Sequence, residues 1–151
     1  MPSSFDLSKP IAIGADHAGF DYKEELISWL EEKGYTVSNK GTFDSNSVDY
    51  PDYAHPVAEM VEKGEAAFGI LMCGSANGVC MTANKHQGIR AGLCWQTDVA
   101  RLIRQHNDAN IICMPARFVA FAQVTQMVEI FISTAFEGGR HKNRRDKISC
   151  A

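Results

Sequence analysis

The amino-acid sequence predicts a single α/β domain over residues 1–151, built on a five-stranded parallel sheet with helices on both faces. Apolar runs alternate five times with segments of helical periodicity, which is typical of repeated βαβ units. The apolar runs are nearly continuous, which indicates strands buried on both faces. No internal repeat, low-complexity run or linker divides the chain. Ligand sites of such a sheet form beyond the carboxyl ends of its strands.

The first half of the chain provides three of the expected strands and two of the helices. The strands are expected at 11–15, 35–39 and 67–72, and the helices over 21–34 and about 54–64. In the first helix, Tyr22, Leu26, Ile27 and Leu30 share one face, and carboxylates lie opposite. Gly34 supplies the C-terminal stop of that helix.

The second half completes the alternation. The strands are expected at 90–95 and 109–114, and the helices over 78–86, 97–107 and 119–136. Thr97 or Asp98 can cap the middle one of these helices. Residues 1–10 are interpreted as a loosely held lead-in, and residues 137–151 as a basic tail that forms a helix.

The composition narrows the class of protein. Hydrophobic residues make up 45% of the chain and charged residues 22%, as in an ordinary globular domain. A net charge of −3 provides no general attraction to nucleic acid or to an anionic membrane. No window reaches the roughly 18 apolar residues of a membrane helix, and the first ten residues lack a secretory pattern.

The cysteines indicate a reducing compartment. Their number is five, which is odd, and no CxxC pair is present. A disulfide framework and a thiolate zinc site are therefore both disfavoured. We expect reduced thiols in a cytoplasmic protein, most of them small buried hydrophobic side chains.

The loop CGSANG at 73–78 is the first candidate site. It joins the expected third strand to a helix N-terminus, where unpaired N–H groups and the helix dipole favour negative charge. Such surroundings lower the pKa of a thiol, and N–H groups freed by Gly74 and Gly78 can hold an oxyanion. Alternatively, Cys73 is a buried residue that ends a core strand, and the glycines serve only the turn.

Polar residues after other strands should lie near this loop. Asp16 and His17 follow the first strand, and Arg117 follows the fifth. Asp16 is equally compatible with a simple N-cap for the first helix. His106 and Asn107 end the helix before the fifth strand, so topology alone does not place them with the others. His106 also suits the negative end of a helix dipole.

The basic tail is the last candidate. Arg140 and Arg144 are four residues apart and share one face of a helix. Two guanidinium groups in that arrangement can hold a phosphate. Gly138 and Gly139 before them can act as a hinge that lets this face turn toward a ligand or a neighbouring subunit. A solvated basic terminus is the alternative.

Seven motifs in order and spacing together resemble one enzyme family. They are GADHAGF…K, KGT, DYPDYA, CGSANG, ANKHQGIRA, RQHNDAN and EGGRH, spread over residues 11–148. The sequence thereby resembles the type B ribose-5-phosphate isomerases, within a wider family that also isomerises six-carbon sugar phosphates. The resemblance implies a Rossmann-like α/β/α sandwich, an aldose–ketose isomerase of the pentose phosphate pathway without metal or organic cofactor, and a homodimer, sometimes paired into a tetramer, whose subunits share active sites.

The resemblance also implies roles for individual residues. Cys73 would move a proton between C1 and C2 of the sugar, and His106 would help to open the furanose ring. The backbone of residues 74–78 would stabilise the enediolate, with Ser75 assisting by a hydrogen bond and Asp16 holding the sugar. The other implied contacts with the sugar and phosphate come from His17, Tyr50, Gly74, Ala76, Asn77, Gly78, Asn107, Arg117, Arg140 and Arg144.

The sequence departs from this family in one loop. Ala76 stands where many relatives have glycine, and an alanine there is tolerable only if the residue does not need a positive φ angle. Ser75 stands where some relatives have threonine and keeps the hydroxyl. Val79 and Cys80 stand where some relatives have a glutamate that acts as the catalytic base, so Cys73 is the expected base here.

Other functions remain as alternatives. A six-carbon substrate, allose or galactose 6-phosphate, differs by one carbon only. A cysteine-dependent phosphatase needs an arginine six residues after its thiol, whereas Val79 occupies that position. A non-catalytic module that binds a sugar phosphate or a nucleotide is the third alternative, although GADHAG matches the dinucleotide fingerprint poorly.

Overall fold

A computed structural model describes residues 3–150 of the protein. Its elements follow in the order β1 (Ile11–Ala15), α1 (Phe20–Glu32), β2 (Val37–Asn39), α2 (Pro51–Glu62), β3 (Gly69–Cys73), α3 (Asn77–Ala83), β4 (Ala91–Leu93), α4 (Thr97–Gln105), β5 (Ile111–Pro115), α5 (Phe121–Ser133) and α6 (Arg140–Asp146). Within residues 3–150, none of the helices has the length and apolar character needed to span a bilayer.

The five strands form one all-parallel sheet in the order β2-β1-β3-β5-β4, which confirms the predicted sheet. The chain leaves β1 toward β2 and then crosses back over β1 to β3. This reversal places a crevice between the carboxyl ends of β1 and β3, where open α/β sheets bind ligands.

Helices cover both faces of the sheet, and each face has its own core. On one face, α1, α4 and α5 pack on Ile13, Ile70 and Ile112. On the other face, α2 and α3 pack on Leu71 and Cys113. Burial on both sides explains why β1, β3 and β5 are apolar at every position. The three-layer α/β/α prediction is confirmed.

The lead-in contributes to the first of these cores. The ring of Phe5 lies 4.8 Å from that of Phe68 and 5.4 Å from that of Phe131, measured between centroids. The guanidinium of Arg104 lies 4.3 Å above the Phe5 ring. Residues 3–10 are therefore held more closely than their composition suggests.

Several element boundaries differ from the prediction. Helix α2 begins at Pro51 instead of 54, because a proline with its fixed φ fits the first helical turn. The expected cap of α4 by Thr97 or Asp98 is wrong: Gln96 is the N-cap residue, and no side chain caps the helix. Helix α5 ends at Ser133 and not at 136.

All five cysteines are free thiols, as predicted. Cys73, Cys94 and Cys113 are buried, Cys80 is half-buried and Cys150 is exposed. Burial raises the pKa of Cys94 to about 12, so this thiol is inert near neutral pH.

Candidate active site

The carboxyl ends of β1, β3 and β5 bring the first group of predicted residues together. Asp16 donates its N–H to the carbonyl of Met72 (3.3 Å), directly before Cys73. Arg117 donates its N–H to the carbonyl of Gly74 (3.1 Å). We call this group the carboxyl-edge cluster; its members are Asp16, His17, Tyr50, Cys73, the loop 74–78 and Arg117.

Asp16 shapes the turn between β1 and α1. Its Oδ1 accepts hydrogen bonds from the N–H groups of Ala18 (2.9 Å) and Gly19 (3.2 Å). Gly19 is the N-cap residue of α1, so Asp16 braces the preceding turn and is not itself the N-cap. Within residues 3–150 its Oδ2 has no hydrogen-bond partner, and this oxygen can accept a bond from a ligand hydroxyl.

Cys73 lies beneath its loop, on the face of the sheet that α2 and α3 cover, with 5% of its surface exposed. Burial raises the pKa of its thiol above the ordinary value, and the nearby charge of Asp16 adds to this effect. Hydrogen bonds from the N–H groups of Val79, Ala76 and Gly78 act in the opposite direction. The expectation of a lowered thiol pKa is therefore wrong in sign, because burial outweighs the amide hydrogens.

The loop after Cys73 has a backbone that its sequence does not favour. Ala76 has a φ of 63° and is fully buried. It therefore occupies the left-handed region, in which alanine was expected to be unfavourable. The methyl group makes this conformation less stable than glycine would by about 1 kcal/mol. Ser75 Oγ accepts from Asn77 through the backbone N–H (3.4 Å) and the side-chain amide (3.2 Å), which braces the turn.

Three further side chains border the loop. The ring of Tyr50 lies so close to Gly78 that a Cβ there would come within 2.5 Å of it, so a larger residue would displace the ring. The side chain of Arg117 lies against Gly74 in the same way, at 3.2 Å from a built Cβ. His17 Nδ1 accepts from the N–H of Val48 (3.2 Å), which leaves Nε2 to carry the proton of a neutral ring.

A second group lies at the opposite edge of the sheet. Helix α4 runs back along the sheet, so His106 and Asn107 follow its end and lie near the amino end of β5. The N–H of Glu137 bonds to the carbonyl of Gln105 (3.0 Å) and brings the tail to the same edge. We call this group the amino-edge cluster; its members are His106, Asn107, Glu137, Arg140, His141 and Arg144.

Within this cluster the two histidines are stacked. The ring centroids of His106 and His141 lie 4.1 Å apart with planes at 15°. His141 is buried, and its pKa is lowered by that burial and by the positive charges of His106, Arg140 and Arg144, while Glu137 raises it. The tail forms the expected helix, and both Arg140 and Arg144 are exposed on it.

One chain does not bring the two clusters together. Strand β5 has five residues and so spans about 16 Å between them. Cys73 and His106 of the same subunit are therefore about a strand's length apart, far beyond the reach of two groups acting on one small substrate.

The amino-edge cluster could hold a metal ion by distance alone. Ligand atoms of His106, Glu137 and His141 all lie within 4.8 Å of one another. The two rings are stacked, however, and Arg140 Nε already donates to His141 Nε2 (3.5 Å). This nitrogen would have to lose that hydrogen bond to bind an ion.

A cavity of about 460 Å³ lies elsewhere, beside the start of β4 and the end of the tail. Asn107 borders it, together with Arg90, Ile103 and Ile148. None of the residues of the carboxyl-edge cluster lines it. This cavity is therefore not the place where the predicted catalytic groups converge.

Three polar residues make contacts that were not predicted from the sequence. Lys23 is fully buried and donates to Glu24 (2.6 Å) and to Asn39 (3.0 Å). Asp108 and Glu137 hold the surroundings of His106. The lysine of GADHAGF…K and the aspartate of RQHNDAN lay inside the quoted motifs, which was the available signal.

Comparison with known proteins identifies the family of the chain. The sequence profile described as Ribose/Galactose Isomerase matches residues 11–148. Ribose-5-phosphate isomerase B of Escherichia coli is 43% identical over 141 residues, which cover 93% of this chain and 95% of that protein.

Solved structures are similar over nearly the whole chain. The ribose 5-phosphate isomerase of Thermotoga maritima has a TM-score of 0.92 and 45% identity, and the match covers 95% of this chain and 99% of that one. Ribose-5-phosphate isomerase B of Mycoplasma genitalium with bound ribulose-5-phosphate has a TM-score of 0.88 and 42% identity, with coverage of 94% and 95%. By sequence and by fold, this chain belongs to the Ribose/Galactose Isomerase family.

Proposed function

We propose that the protein is an aldose–ketose isomerase that interconverts D-ribose 5-phosphate and D-ribulose 5-phosphate. The observation that carries this proposal is the carboxyl-edge cluster, in which backbone N–H groups surround one thiol beside a carboxylate and an arginine. The relative from Mycoplasma genitalium, which binds ribulose-5-phosphate, supports the choice of substrate. We propose further that the protein works in the cytoplasm without metal or organic cofactor.

The reaction needs a base and a stabilised anion. In its thiolate form, Cys73 takes the proton from C2 of the open-chain aldose and returns it to C1, while the hydroxyl proton on O2 passes to O1. The intermediate is an enediolate, and a C–H group beside a carbonyl is too weak an acid to ionise without such help. The N–H groups of the loop 74–78, together with Ser75 Oγ, stabilise the negative oxygen.

The remaining residues bind and open the sugar. Asp16 Oδ2, Tyr50, Asn77 and Asn107 accept or donate hydrogen bonds to its hydroxyls. His106 transfers a proton at the ring oxygen or the anomeric hydroxyl to open the furanose, because an imidazole titrates in the appropriate range.

The phosphate provides the binding energy that holds C1 and C2 against the base. Its ligands are His17, Arg117, Arg140 and Arg144.

The two clusters form one active site only between subunits. Cys73 and His106 of one chain are a strand's length apart, so we propose a homodimer in which the amino-edge cluster of one subunit completes the carboxyl-edge cluster of its partner. Such a two-fold dimer contains two equivalent sites. Pairing of dimers into a tetramer is compatible with the same geometry.

Replacement of the base tests the reaction. Cys73→Ala should lower kcat by about a thousandfold, since a positioned general base typically contributes about 10²–10⁴-fold. Binding of ribulose 5-phosphate, measured by calorimetry, should stay within about threefold of the wild type, because the arginines remain. Cys94→Ala removes another buried thiol and is the matched control. Near-normal turnover by Cys73→Ala would contradict the role of this residue.

A substrate comparison tests the identity of the sugar. We expect kcat/KM for ribose 5-phosphate to exceed the values for allose 6-phosphate and galactose 6-phosphate. A preference for either six-carbon sugar would move the protein to that branch of the family. Turnover of none of the three would refute the isomerase proposal.

A further inference from the structure

We propose that Asp108 and Arg145 are positioning residues of the phosphate site. Their ion pair holds helix α6 against the turn between α4 and β5, and thereby fixes Arg140 and Arg144 relative to His106. This inference rests on the proposed function, since it assigns the tail arginines to a sugar phosphate.

Asp108 is a fixed point at the amino edge of the sheet. Its carboxylate contacts three arginines: Oδ1 with Nη1 of Arg104 (3.1 Å), and Oδ2 with Nη1 of Arg145 (2.7 Å) and Nη2 of Arg90 (3.5 Å). Its carbonyl accepts from Arg90 Nε (2.8 Å), and its N–H bonds to the carbonyl of Arg104 (3.2 Å). The contacts with Arg104 and Arg90 therefore fix the carboxylate independently of α6.

The core anchors the arginine beside it. Only 2% of the surface of Arg104 is exposed, and its guanidinium donates to the carbonyls of Thr134 (3.0 Å) and Ala109 (2.6 Å). Asp108 follows His106 by two residues in the same turn. Anything that Asp108 holds is thus held in register with His106.

Helix α6 has few other attachments. Gly138 and Gly139 precede it, both with positive φ and with open space around them, so the connection is a pliable one. The His106–His141 stack is one contact of the helix with the rest of the fold. The pair between Arg145 and Asp108 is the shortest ion pair between α6 and the rest of the described chain.

The arginines of α6 lie on two different faces of the helix. Arg140 and Arg144 lie one turn apart on the exposed side of α6. Arg145 is one residue further, which turns it by about 100° toward the body of the protein. There its guanidinium contacts Asp108 and lies 4.8 Å over the ring of Phe136, and 24% of its side chain is exposed. Arg145 is thus engaged, whereas within residues 3–150 the guanidinium of Arg144 has no hydrogen-bond partner.

The first test separates positioning from catalysis. Arg145→Gln should raise KM for ribose 5-phosphate about five- to tenfold, the range for loss of a partly buried charged contact, and leave kcat within about twofold. Arg145→Lys keeps the charge and should restore part of the loss. Lys142→Gln is the matched control: it removes one charge and one bond to Asp146 from the same helix, without touching Asp108. An unchanged KM in Arg145→Gln, or an equal rise in Lys142→Gln, would overturn the inference.

The second test asks whether Arg145 acts through Arg140 and Arg144. In an Arg140→Ala, Arg144→Ala background, adding Arg145→Gln should change KM by less than about twofold, since both groups that it positions are gone. Full additivity of Arg145→Gln with these two changes would mean that Arg145 contacts the phosphate itself, and would refute the positioning role.

The inference and the proposed function can fail separately. Hydrogen exchange of the α6 amides should be faster in Arg145→Gln and unchanged in Lys142→Gln, with no substrate present. Absence of that difference refutes the attachment, whatever the enzyme does. A wild type that isomerises no sugar phosphate refutes the proposed function, even where the exchange result is as expected.

Discussion

Two opposing influences act on the thiol of Cys73, and both bear on its proposed role as the base. Burial and the charge of Asp16 raise its pKa, whereas three backbone N–H groups favour the thiolate. Burial is the larger effect, so the neutral thiol predominates at pH 7 in the chain without ligand. The amide hydrogens therefore matter most when negative charge develops on the substrate, which is the task of an anion-binding loop.

The pH dependence of the reaction follows from that raised pKa. Below the pKa of the thiol, the thiolate fraction grows about tenfold per pH unit. We expect kcat/KM to rise continuously between pH 7 and 9, a range in which the substrate phosphate is already fully ionised. Initial rates with ribose 5-phosphate in a constant-ionic-strength buffer series measure this. A profile that is flat above pH 7 would mean that substrate binding or another group limits the rate.

Ala76 leads to a second prediction at the residue scale. Its φ of 63° is unfavourable for alanine, so Ala76→Gly relieves about 1 kcal/mol of strain in the folded state. Glycine also raises the conformational entropy of the unfolded chain, which lowers the stability by about 0.4–1 kcal/mol. The free energy of unfolding should stay level or rise slightly. Ala83→Gly, in the helix that Ala76 precedes and with ordinary helical geometry, should lower it by about 1 kcal/mol or more. Equal destabilisation by both changes, in urea titrations, would contradict the strain.

The pKa shift of Cys73 and the backbone angle of Ala76 could not be predicted from the local sequence. The glycines and the thiol of CGSANG predicted an anion-binding loop, but the sign of the thiol's pKa shift depends on how deeply helices α2 and α3 bury it. The backbone angle of Ala76 is imposed by the strand before it and the helix after it. The burial of Lys23 was not predicted: its long apolar stem lies inside and its amine reaches Asn39.

The elements themselves were more predictable. Strand β1 has the predicted bounds, and β3 and β5 are shifted by one or two residues, because continuous apolar runs have no other place than a sheet covered on both sides. The short edge strands β2 and β4 were expected to be longer, since the sequence does not show where hydrogen-bonded partners end. The tail helix was predicted as well, but its attachment through Arg145 was not.

His141 in helix α6 leads to a prediction about stability and titration at acid pH. The pKa of His141 is lowered, so the fold favours its neutral form; this contribution to stability is present above about pH 6.5 and is lost as the pH falls through the lowered value. We expect the ring resonance of His141, assigned by comparison with His141→Gln, to titrate with a midpoint below 6.5. In Arg144→Gln the midpoint should move upward, since one neighbouring positive charge is gone. A wild-type midpoint above 6.5 would contradict the lowered pKa of His141.

At the scale of the whole molecule, the separation of the two clusters is the basis of the proposed shared site. The carboxyl-edge cluster and the amino-edge cluster lie at opposite edges of one sheet. Motifs and topology predicted most members of the two clusters, although not Glu137. The length of the strands between the clusters separates His106 from the Cys73 of its own chain.

Mixing of inactive variants tests this arrangement. Cys73→Ala and His106→Asn should each be inactive with ribose 5-phosphate, whereas a mixture after subunit exchange should recover about a quarter of wild-type activity, because half of the dimers then contain one intact site. Cys73→Ala mixed with Asp16→Asn should recover nothing, since both changes affect the same cluster. No recovery in the first mixture, or equal recovery in both, would refute a shared site.

The distribution of the thiols has a practical consequence. Cys150 is exposed just beyond α6, while the thiol of the base is enclosed under its loop and two others are sealed in the cores. A bulky maleimide dye should therefore couple first at the chain end. Its fluorescence anisotropy would report how freely the arginine-bearing tail swings before and after a sugar phosphate arrives.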